Sequence, residues 1–453
     1  MSIPAVQSSS TSSTFVSAFQ GVDIPNYDVI TNCMHCGLCL PLCPTYALTG
    51  LEKSSPRGRI RLIKAVADGE LPITDGFVNE MNFCLDCQAC ETACPAGVKY
   101  GSLVEAARTQ IFLGNHESFT SKVLKRVFLR WFFSRHARLK MLAKILRFHD
   151  QSGLKRFLEK TGFLKLLAKK LHDVQALSPH ISEHFSSDSL PEVISRVPHA
   201  RYRVGFLTGC IMDVAFTNVN EDTVELLLQH DCEVVVPKGQ GCCGSLQAHY
   251  GDRQAARQMA RRNIEIFDRY SLDYIIMNSA GCGAFMKEYG HLFENETGFA
   301  EKAKRISERT LDITEFLAMV GLNVPMSRNS FLSSLYGKRI SYHDACHLVH
   351  TQKVSQQPRA LLCSVPGVQF VELPESTWCC GSAGIYNVVR HEDSMKLLDR
   401  KVGHVMSIMP DVLVTGNPGC QVQIQYGLEK QGLSTRLMHT ATFLRKVCEV
   451  QEA

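Results

Sequence analysis

The chain has 453 residues, of which 45% are hydrophobic and 21% charged, with 19 cysteines and a formal net charge of +5. This length predicts two to four domains, and the lack of any run of 18 apolar residues argues against a membrane span. No secretory signal is visible, so the cysteines favour metal ligation over a disulfide framework. Residues 1–24, rich in Ser and Thr at their start, are predicted to be a flexible N-terminus.

Residues 25–120 carry two copies of one cysteine pattern. Each copy reads C-x2-C-x2-C-x3-C-P, the spacing of bacterial two-cluster ferredoxins, in which the fourth cysteine of each run ligates the other cluster. The pattern predicts two [4Fe–4S] clusters. The first takes Cys33, Cys36, Cys39 and Cys94, called here the first crossed group. The second takes Cys43, Cys84, Cys87 and Cys90, the second crossed group.

Zinc is the alternative occupant, because paired C-x2-C motifs also form tetrahedral thiolate sites. Eight ligands in this repeated order, each run closed by Cys-Pro, favour iron–sulfur clusters. A c-type haem is excluded, because Gly37 and not a histidine follows Cys36. Residues 25–120 are therefore predicted to form an α-helical ferredoxin-type domain.

Residues 121–200 are predicted to hold basic amphipathic helices and then a linker. Residues 121 to 172 contain fifteen Lys and Arg but only two acidic residues, and apolar residues recur every three or four positions. Such helices suit an anionic membrane surface or an acidic partner subunit, and a linker helix with a solvated basic face is the alternative. No base-reading module accompanies the charge, so nucleic acid is not expected.

Eight further cysteines form two matching groups offset by 136 to 138 residues, which predicts a duplicated unit. The first doublet group is Cys210, Cys242, Cys243 and Cys282, and the second doublet group is Cys346, Cys379, Cys380 and Cys420. Cys232, Cys363 and Cys448 fall outside both systems and are read as small core or surface residues.

Apolar runs rich in strand formers precede these cysteines, as in "YRVGFLTG", "LDYIIMNSAG", "KRISYHDA" and "DVLVTGNPG". Helical stretches alternate with them, which predicts an α/β fold with parallel sheets in residues 201–335 and 336–453. Ligands bind beyond the carboxyl ends of such strands, so the doublet groups are predicted to form one or more metal sites there. Gly244 and Gly381 are expected to let the backbone pass close to the metal group.

The doublet groups resemble the CCG domains of heterodisulfide-reductase-type subunits. Together with both ferredoxin-type runs, "SPRGRI" at 55–60, "AGCGAFMKEYG" and "CCGSAGIY" resemble the iron–sulfur subunits of bacterial glycolate oxidases. The similarity runs from about residue 25 to 450. Residues 201–335 and 336–453 are then the first and second CCG domains, referred to below as the first and second unit.

The resemblance implies an iron–sulfur electron-transfer subunit of an oxidoreductase complex. A partner subunit carrying FAD would oxidise glycolate to glyoxylate, with D-lactate as a second substrate, and this chain would pass electrons towards a membrane or quinone-linked acceptor. No nucleotide-binding glycine motif follows a strand here, so no catalytic residue is assigned to this chain. The implied location is cytoplasmic, peripheral on the inner membrane. Subunits of lactate and anaerobic glycerol-3-phosphate dehydrogenases are also similar.

The chain departs from the heterodisulfide-reductase pattern at one position in each unit. Ser279 and Asn417 stand where that pattern has a fifth cysteine, which counts against a disulfide-cleaving non-cubane pair. A conventional iron–sulfur centre, a zinc ion, or one site shared between the units all remain open. The alternative function is a CCG-type reductase that acts on a disulfide or a quinone.

Three histidines crowd the start of the second doublet group and are candidates for an additional ligand. A hydrogen-bonding or surface role is favoured for them. They are His343, His347 and His350.

Overall fold

The computed structural model describes residues 16–114, 116, 126–133, 135–151, 177–325 and 329–449. Its N-terminal region is helical, as predicted. The helices are α1 (Tyr27–Thr31), α2 (Pro44–Thr49), α3 (Pro56–Ala67), α4 (Asp75–Phe83), α5 (Ala89–Thr92) and α6 (Tyr100–Leu113), with a 3-10 turn at Glu52–Ser54.

Local sequence explains where these helices begin. The hydroxyl of Ser55 accepts a hydrogen bond from the amide of Gly58 at 3.1 Å, and Pro56 occupies the first position of α3. Thr74 caps α4 in the same way. The buried face of α6 repeats at helical spacing and packs into a core with α3 and α4. These helices fix the two cysteine-bearing loops between them.

The described part of the predicted flexible N-terminus is packed against the rest of the protein. Phe19 is buried, with its ring centroid 6.1 Å from that of Phe77. Asp23 forms a bidentate ion pair with Arg257 of the first unit, with both N–O distances at 2.6 Å. Residues 16–24 therefore join the N-terminal region to the first unit, and residues 1–15 lie outside the described residues.

The basic segment is helical where it is described. A π-helical turn spans Arg126–Phe132, and α7 spans His136–Gln151. Phe133, Leu139 and Ala143 are buried against Phe185 and Val214. The apolar stripe of this segment therefore docks on the first unit. The second predicted helical stretch, from 154 to 172, lies outside the described residues.

The first unit contains a five-stranded sheet in the order β1-β3-β2-β4-β5. Four strands are parallel, and β1, which comes from the stretch predicted as a linker, pairs antiparallel with β3. The strands are β1 (Val193–Ile194), β2 (Tyr202–Phe206), β3 (Cys232–Val235), β4 (Tyr274–Met277) and β5 (Thr310–Asp312).

The second unit contains a four-stranded sheet in the order β7-β6-β8-β9, and all of its strands are parallel. The strands are β6 (Arg339–His343), β7 (Gln369–Phe370), β8 (Val412–Thr415) and β9 (Arg436–His439). The structure confirms the predicted parallel sheets. Buried, β-branched runs such as "VLVT" suit strands covered on both faces.

Helices alternate with the strands of both sheets. Before and within the first unit they are α8 (Ser186–Ser189), α9 (Ile211–Ala215), α10 (Thr217–Leu228), α11 (Ser245–His249), α12 (Arg253–Phe267), α13 (Ala280–Lys287), α14 (Tyr289–Leu292), α15 (Ala300–Arg309), α16 (Ile313–Val320) and α17 (Ser330–Leu335). In the second unit they are α18 (Gln356–Cys363), α19 (Tyr386–Val389), α20 (His391–Ile408), α21 (Pro418–Lys430) and α22 (Thr440–Val447), with a π-helical turn at His347–Thr351.

The two sheets share one hydrophobic core. Val204 and Phe206 of β2 belong to the same buried cluster as Tyr342 of β6 and Val414 of β8. The amide of Ala280 in α13 also donates to the carbonyl of Gly416 at 3.2 Å, across the two units. The cysteine-bearing ends of both sheets are thereby brought to one region. Among the described residues, no helix has the length and apolar character needed to cross a membrane.

Candidate metal centres

Three cysteines of the first crossed group lie on the loop between α1 and α2, and Cys94 lies between α5 and α6. Positive φ angles at His35 (55°) and Gly37 (85°) wind this loop tightly after Cys33. All four cysteines of the group line one groove, together with Tyr100 and with Cys90 of the second crossed group. Burial raises the pKa of Cys33, and the Cys94 thiol adds to that rise. Cys94 thus reaches the first run although it belongs to the second.

The second crossed group is more deeply buried. Burial raises the pKa of Cys90 well above its usual range, and the thiols of Cys87, Cys84 and Cys43 raise it further. Cys43 is the residue that precedes α2, and Pro44 starts that helix. Cys43 of the first run therefore lies near the thiols of the second run, while the crossed assignment of ligands to two clusters stays a prediction.

Polar groups surround these thiols. The backbone amide of Asp86 lies 3.3 Å from the Cys84 sulfur, and the Tyr100 hydroxyl lies 3.5 Å from the same atom. The Thr45 hydroxyl lies 3.3 Å from the Cys43 sulfur. Hydrogen bonds to cluster-binding sulfurs are one of the factors that set the reduction potential. The donor set and its surroundings therefore fit thiolate-bound iron–sulfur clusters.

Arg59, from the "SPRGRI" stretch, lies between the two cysteine runs and is fully buried. Its Nε donates to the Glu80 carbonyl at 2.8 Å and its Nη1 to the Thr45 hydroxyl at 3.0 Å. Burial opposes its charge, but Tyr100, Cys84 and other acidic neighbours raise its pKa above the usual range. In the sequence this residue was notable only as part of a motif shared with a known family, whereas in the structure it is a buried cation beside the thiols.

The first doublet group lies at the carboxyl ends of the first sheet. Cys210 follows β2, the doublet precedes α11, and Cys282 lies in α13 after β4. A hydrogen bond to Cys242, together with burial, raises the pKa of Cys210 well above its usual range. Cys243 contacts both Cys242 and Cys282. The four thiols therefore form one continuous buried group.

The second doublet group repeats this order in the second unit. A hydrogen bond to Cys379 and burial raise the pKa of Cys346 well above its usual range. Cys380 in turn contacts the thiols of Cys379 and Cys420. The structure brings together all eight predicted cysteines as two groups of four, one at the end of each sheet.

The glycine after each doublet adopts a left-handed conformation, and the Gly381 amide lies 3.5 Å from the Cys379 sulfur. The passage of this backbone close to a metal group stays a prediction. Gly244 and Gly381 have φ angles of +97° and +92°, and a β-carbon at Gly381 would lie 2.6 Å from the Ser394 carbonyl oxygen. At Gly244 it would lie 3.0 Å from the Ala256 carbonyl oxygen. These glycines allow a left-handed turn packed against the backbone of a following helix.

The second crossed group adjoins the second doublet group. After burial, the Cys346 thiol is the strongest of the neighbours that raise the pKa of Cys87. Phe83, Trp378 and Tyr386 form an apolar cluster with Cys379 in the same place. Two groups of thiols from distant parts of the chain thus share one water-poor environment.

A buried polar network holds this junction in place. The His249 Nδ1 lies 2.9 Å from an Asp86 carboxylate oxygen, and the His347 Nε2 lies 3.1 Å from the Asp86 carbonyl. Burial favours the neutral acid, but the hydrogen bond to His249 holds the pKa of Asp86 below its usual value. The Arg108 Nη1 donates to the His249 carbonyl at 2.9 Å. The sequence carried no signal for these contacts, because the partners are 141 to 261 residues apart.

The three histidines near Cys346 have different environments. His347 faces Asp86, and the His350 Nδ1 lies 3.0 Å from the Thr92 hydroxyl. Burial lowers the pKa of both rings to about 4. His343 instead lies beside Cys380 and Cys420. Two of the three therefore have the hydrogen-bonding role that the sequence favoured.

The first doublet group opens onto a cavity of about 190 Å³ lined by Cys242, Arg130, His136 and Arg262, among others. His136 comes from α7, and its Nε2 lies 2.7 Å from an Asp213 carboxylate oxygen. Arg130 pairs with Asp252. The basic segment thus contributes side chains to the surroundings of the first doublet group, which its composition alone did not indicate.

Asn417 and Lys401 lie beside the second doublet group. The Asn417 Nδ2 donates to the Cys420 sulfur at 3.5 Å, so this residue supplies an N–H where a fifth cysteine would supply a thiolate. Lys401 is fully buried and donates to the Ser376 carbonyl at 3.2 Å. Burial lowers its pKa to about 8, an effect that the Cys380 and Cys379 thiols oppose.

Sequence comparison with known proteins agrees with this arrangement. Residues 29–98 match the 4Fe-4S dicluster domain family, and residues 204–287 and 340–425 match the cysteine-rich CCG domain. Residues 120–178 match the linker region of the glycolate oxidase iron-sulfur subunit. A probable glycolate oxidase iron-sulfur subunit of Bacillus subtilis (strain 168) is 36% identical over 418 residues, 92% of this chain and 93% of the relative. The chain belongs to the family of glycolate oxidase iron-sulfur subunits.

Two further relatives are similar to this chain. The glycolate oxidase iron-sulfur subunit of Escherichia coli (strain K12) is 30% identical over 404 residues, 87% of this chain and 90% of the relative. Lactate utilization protein A of Bacillus licheniformis is 33% identical over 242 residues, 53% of this chain and 98% of the relative. The resemblance to glycolate oxidase iron–sulfur subunits is therefore confirmed.

Proposed function

We propose that this chain is the iron–sulfur electron-transfer subunit of a flavin-dependent complex that oxidises glycolate to glyoxylate, with D-lactate as a second substrate. The observation that carries the proposal is the contact between the second crossed group and the second doublet group. Together with the first crossed group, they form a series of thiol groups that runs from an exposed loop into the interior. Such a layout suits movement of electrons in short steps.

The exposed loop of the first crossed group is the proposed docking surface for an FAD-carrying partner. Cys36 is exposed on it. Met34, Leu38 and Leu42 are 66%, 57% and 40% exposed. Apolar side chains around an electron-carrying centre favour a close, dry contact with another protein. Electrons from the flavin would enter here.

The residues of this chain have the task of holding two [4Fe–4S] clusters and setting their potentials. When bound, such clusters accept and release single electrons. Arg59 offsets thiolate charge near Cys84 and Cys43. The Asp86 amide and the Tyr100 hydroxyl provide hydrogen-bond donors to Cys84. The hydroxy-acid chemistry and the FAD are assigned to the partner, so no catalytic residue is proposed on this chain.

We also propose a peripheral position on the cytoplasmic face of the inner membrane, with electrons passing to a membrane or quinone-linked acceptor. Helix α7 supports this, because Met141, Ile145 and Phe148 are exposed beside the basic residues Lys140 and Lys144. Apolar residues next to lysines are typical of helices that lie on anionic membranes.

The proposal is tested by combining the anaerobically purified chain with its flavin subunit and adding glycolate. We expect loss of the visible iron–sulfur absorbance and reduced-cluster EPR signals, both dependent on glycolate. A mixture lacking the flavin subunit is the control and should show no reduction. If flavin is reduced by glycolate while the clusters of this chain stay oxidised, the electron-transfer role is wrong.

A second candidate function is a reductase that acts on a disulfide or a quinone. The cavity beside Cys242 favours it, because a small molecule could reach that sulfur there. It predicts turnover by the isolated, chemically reduced chain and loss of that turnover in Cys242→Ser. No turnover with either acceptor class would exclude it.

A further inference from the structure

His343 ends β6, and its side chain lies against the second doublet group. One ring nitrogen and the sulfur atoms of Cys380 and Cys420 all lie within 4.8 Å of one another. All three residues are buried, and His343 is 0% exposed. The three atoms are thus close enough to share a single metal ion or one edge of a cluster.

The imidazole of His343 has no satisfied nitrogen. Neither ring nitrogen has a hydrogen-bond partner among the described residues, and the backbone of Ser376 approaches the ring without hydrogen-bond geometry. A buried polar group that is left unpaired destabilises the folded state, and native proteins seldom retain one without a ligand, ion or water. The ring therefore points to a partner that is not part of the polypeptide.

The first unit shows that the fold does not need a polar ring at this place. Leu207 lies three residues before Cys210, as His343 lies three residues before Cys346. Leu207 packs in an apolar cluster with Cys243 and Cys282, the counterparts of Cys380 and Cys420. Packing alone is satisfied by leucine, so the imidazole supplies something other than packing.

We propose that His343 is a metal ligand in the second unit, together with Cys380 and Cys420. The second doublet group then binds an iron or zinc centre through nitrogen and sulfur, whereas the first unit has Leu207 at the position of this ligand. Both metals accept imidazole and thiolate in one site. The imidazole takes the place of the fifth thiolate that Asn417 cannot provide. This proposal builds on the proposed function, since it names a ligand of a centre in the same subunit.

The test is spectroscopic and uses the full chain purified without oxygen. Metal analysis counts iron and zinc. X-ray absorption at the iron edge and at the zinc edge detects scattering from an imidazole ligand. Pulsed EPR detects nitrogen couplings to a paramagnetic centre. The crossed groups contain only thiols, so an imidazole signal cannot come from them. We expect an imidazole ligand in the wild type, and in His343→Asn the loss of that signal and of the metal of one centre. His343→Cys should restore the metal with sulfur ligands only.

His439→Asn is the matched control. His439 is also a buried histidine at the end of a strand in the same sheet, and its Nδ1 accepts the Ala441 amide at 3.2 Å as the cap of α22. Asparagine preserves such a cap. This variant should keep wild-type metal content and the imidazole signal, which separates ligation from the general loss of a buried ring.

The proposal is overturned if the wild type shows no nitrogen ligand, or if either His343 variant keeps both the metal and the nitrogen signal. The wild-type measurement stands even if His343→Asn does not fold. A wild-type chain with its ferredoxin-type clusters but without an imidazole ligand would refute this inference alone. A chain without any iron would refute the proposed function.

Discussion

At the scale of single residues, the buried cation Arg59 indicates that the cysteines around it carry negative charge as thiolates. A fully buried guanidinium is costly unless anions compensate it. Glu80 is its only carboxylate neighbour among the described ion pairs, at 3.8 Å, and Nη2 has no hydrogen-bond partner there. Tyr100, Cys84 and Cys43 are the other groups that favour the cation. The burial of Arg59 is therefore balanced when these sulfurs are metal-bound thiolates.

The crossed arrangement predicts the effect of Cys43→Ser. Because Cys43 lies with Cys84, Cys87 and Cys90, the substitution should damage the second crossed group and leave the first intact. Iron content should fall by about half of that bound by the crossed groups, and EPR should lose one cluster signal. Cys363→Ser, at an exposed cysteine, is the control. Two intact cubes in Cys43→Ser would refute the ligand assignment.

Lys401 predicts a shift in reduction potential. It is the buried cation beside the thiols of the second doublet group. Lys401→Met removes a positive charge that stabilises the reduced state, so the potential of a centre there should fall by on the order of 100 mV for a charge screened at an effective dielectric constant of about 20. Lys396→Met, at an exposed lysine of the same helix, should change it little. Redox titration followed by EPR measures both; equal potentials would refute the role of Lys401.

At the scale of elements, the turn after the second doublet predicts a stability change. Gly381 has φ +92° and lies against the Ser394 carbonyl of α20, so Gly381→Ala should destabilise the protein by about 1–3 kcal/mol. Gly403→Ala in the same helix has open space around the new methyl group and should stabilise by up to about 1 kcal/mol. Thermal unfolding of both variants should show shifts of opposite sign, and shifts of one sign would contradict the strain at Gly381.

The exposed apolar side chains of helix α7 predict an effect on membrane binding. Ile145 and Phe148 are 57% and 70% exposed, so Ile145→Ser combined with Phe148→Ser should reduce sedimentation with vesicles rich in anionic phospholipid. Met319→Ser, at a 49% exposed position on α16, is the control. If the double variant sediments like the wild type, the exposed face of α7 does not bind membranes.

Secondary structure could be predicted where the apolar pattern of a segment shows which of its faces are buried. The runs before Cys210, Cys282, Cys346 and Cys420 are strands because continuous apolar segments suit sheets covered on both faces. β1 was missed, because its two residues pair at the edge of the sheet and carry no periodic signal. The packing of residues 16–24 was missed for a related reason: it depends on Phe19 and Asp23 meeting partners far along the chain.

At the scale of the whole molecule, the sequence predicted which cysteines belong together but not how the two systems meet. Spacing is local, and the duplicated pattern is visible by itself. The contact between Cys87 and Cys346 depends on the docking of the helical region against both units through Asp86, Arg108 and His249. No spacing rule describes such long-range contacts. The environments of His136 and Lys401 were missed for the same reason.

The absence of a nucleotide-binding motif predicts the cofactor content of the isolated chain. The anaerobically purified protein should contain iron and acid-labile sulfide but no bound flavin. Acid extraction followed by fluorescence measures flavin directly. The complex of this chain with its flavin subunit, which glycolate should reduce, is the positive control. Stoichiometric flavin in the isolated chain would move the hydroxy-acid chemistry onto this subunit.

The continuous core between the two sheets means that the duplication cannot be divided. Severing the polypeptide near residue 335 would leave Phe206 and Tyr342 on separate fragments and expose apolar surface on each. Each half would then tend to aggregate before its metal centre could assemble. We therefore expect the two doublet groups to receive their metal only when both units have been synthesised.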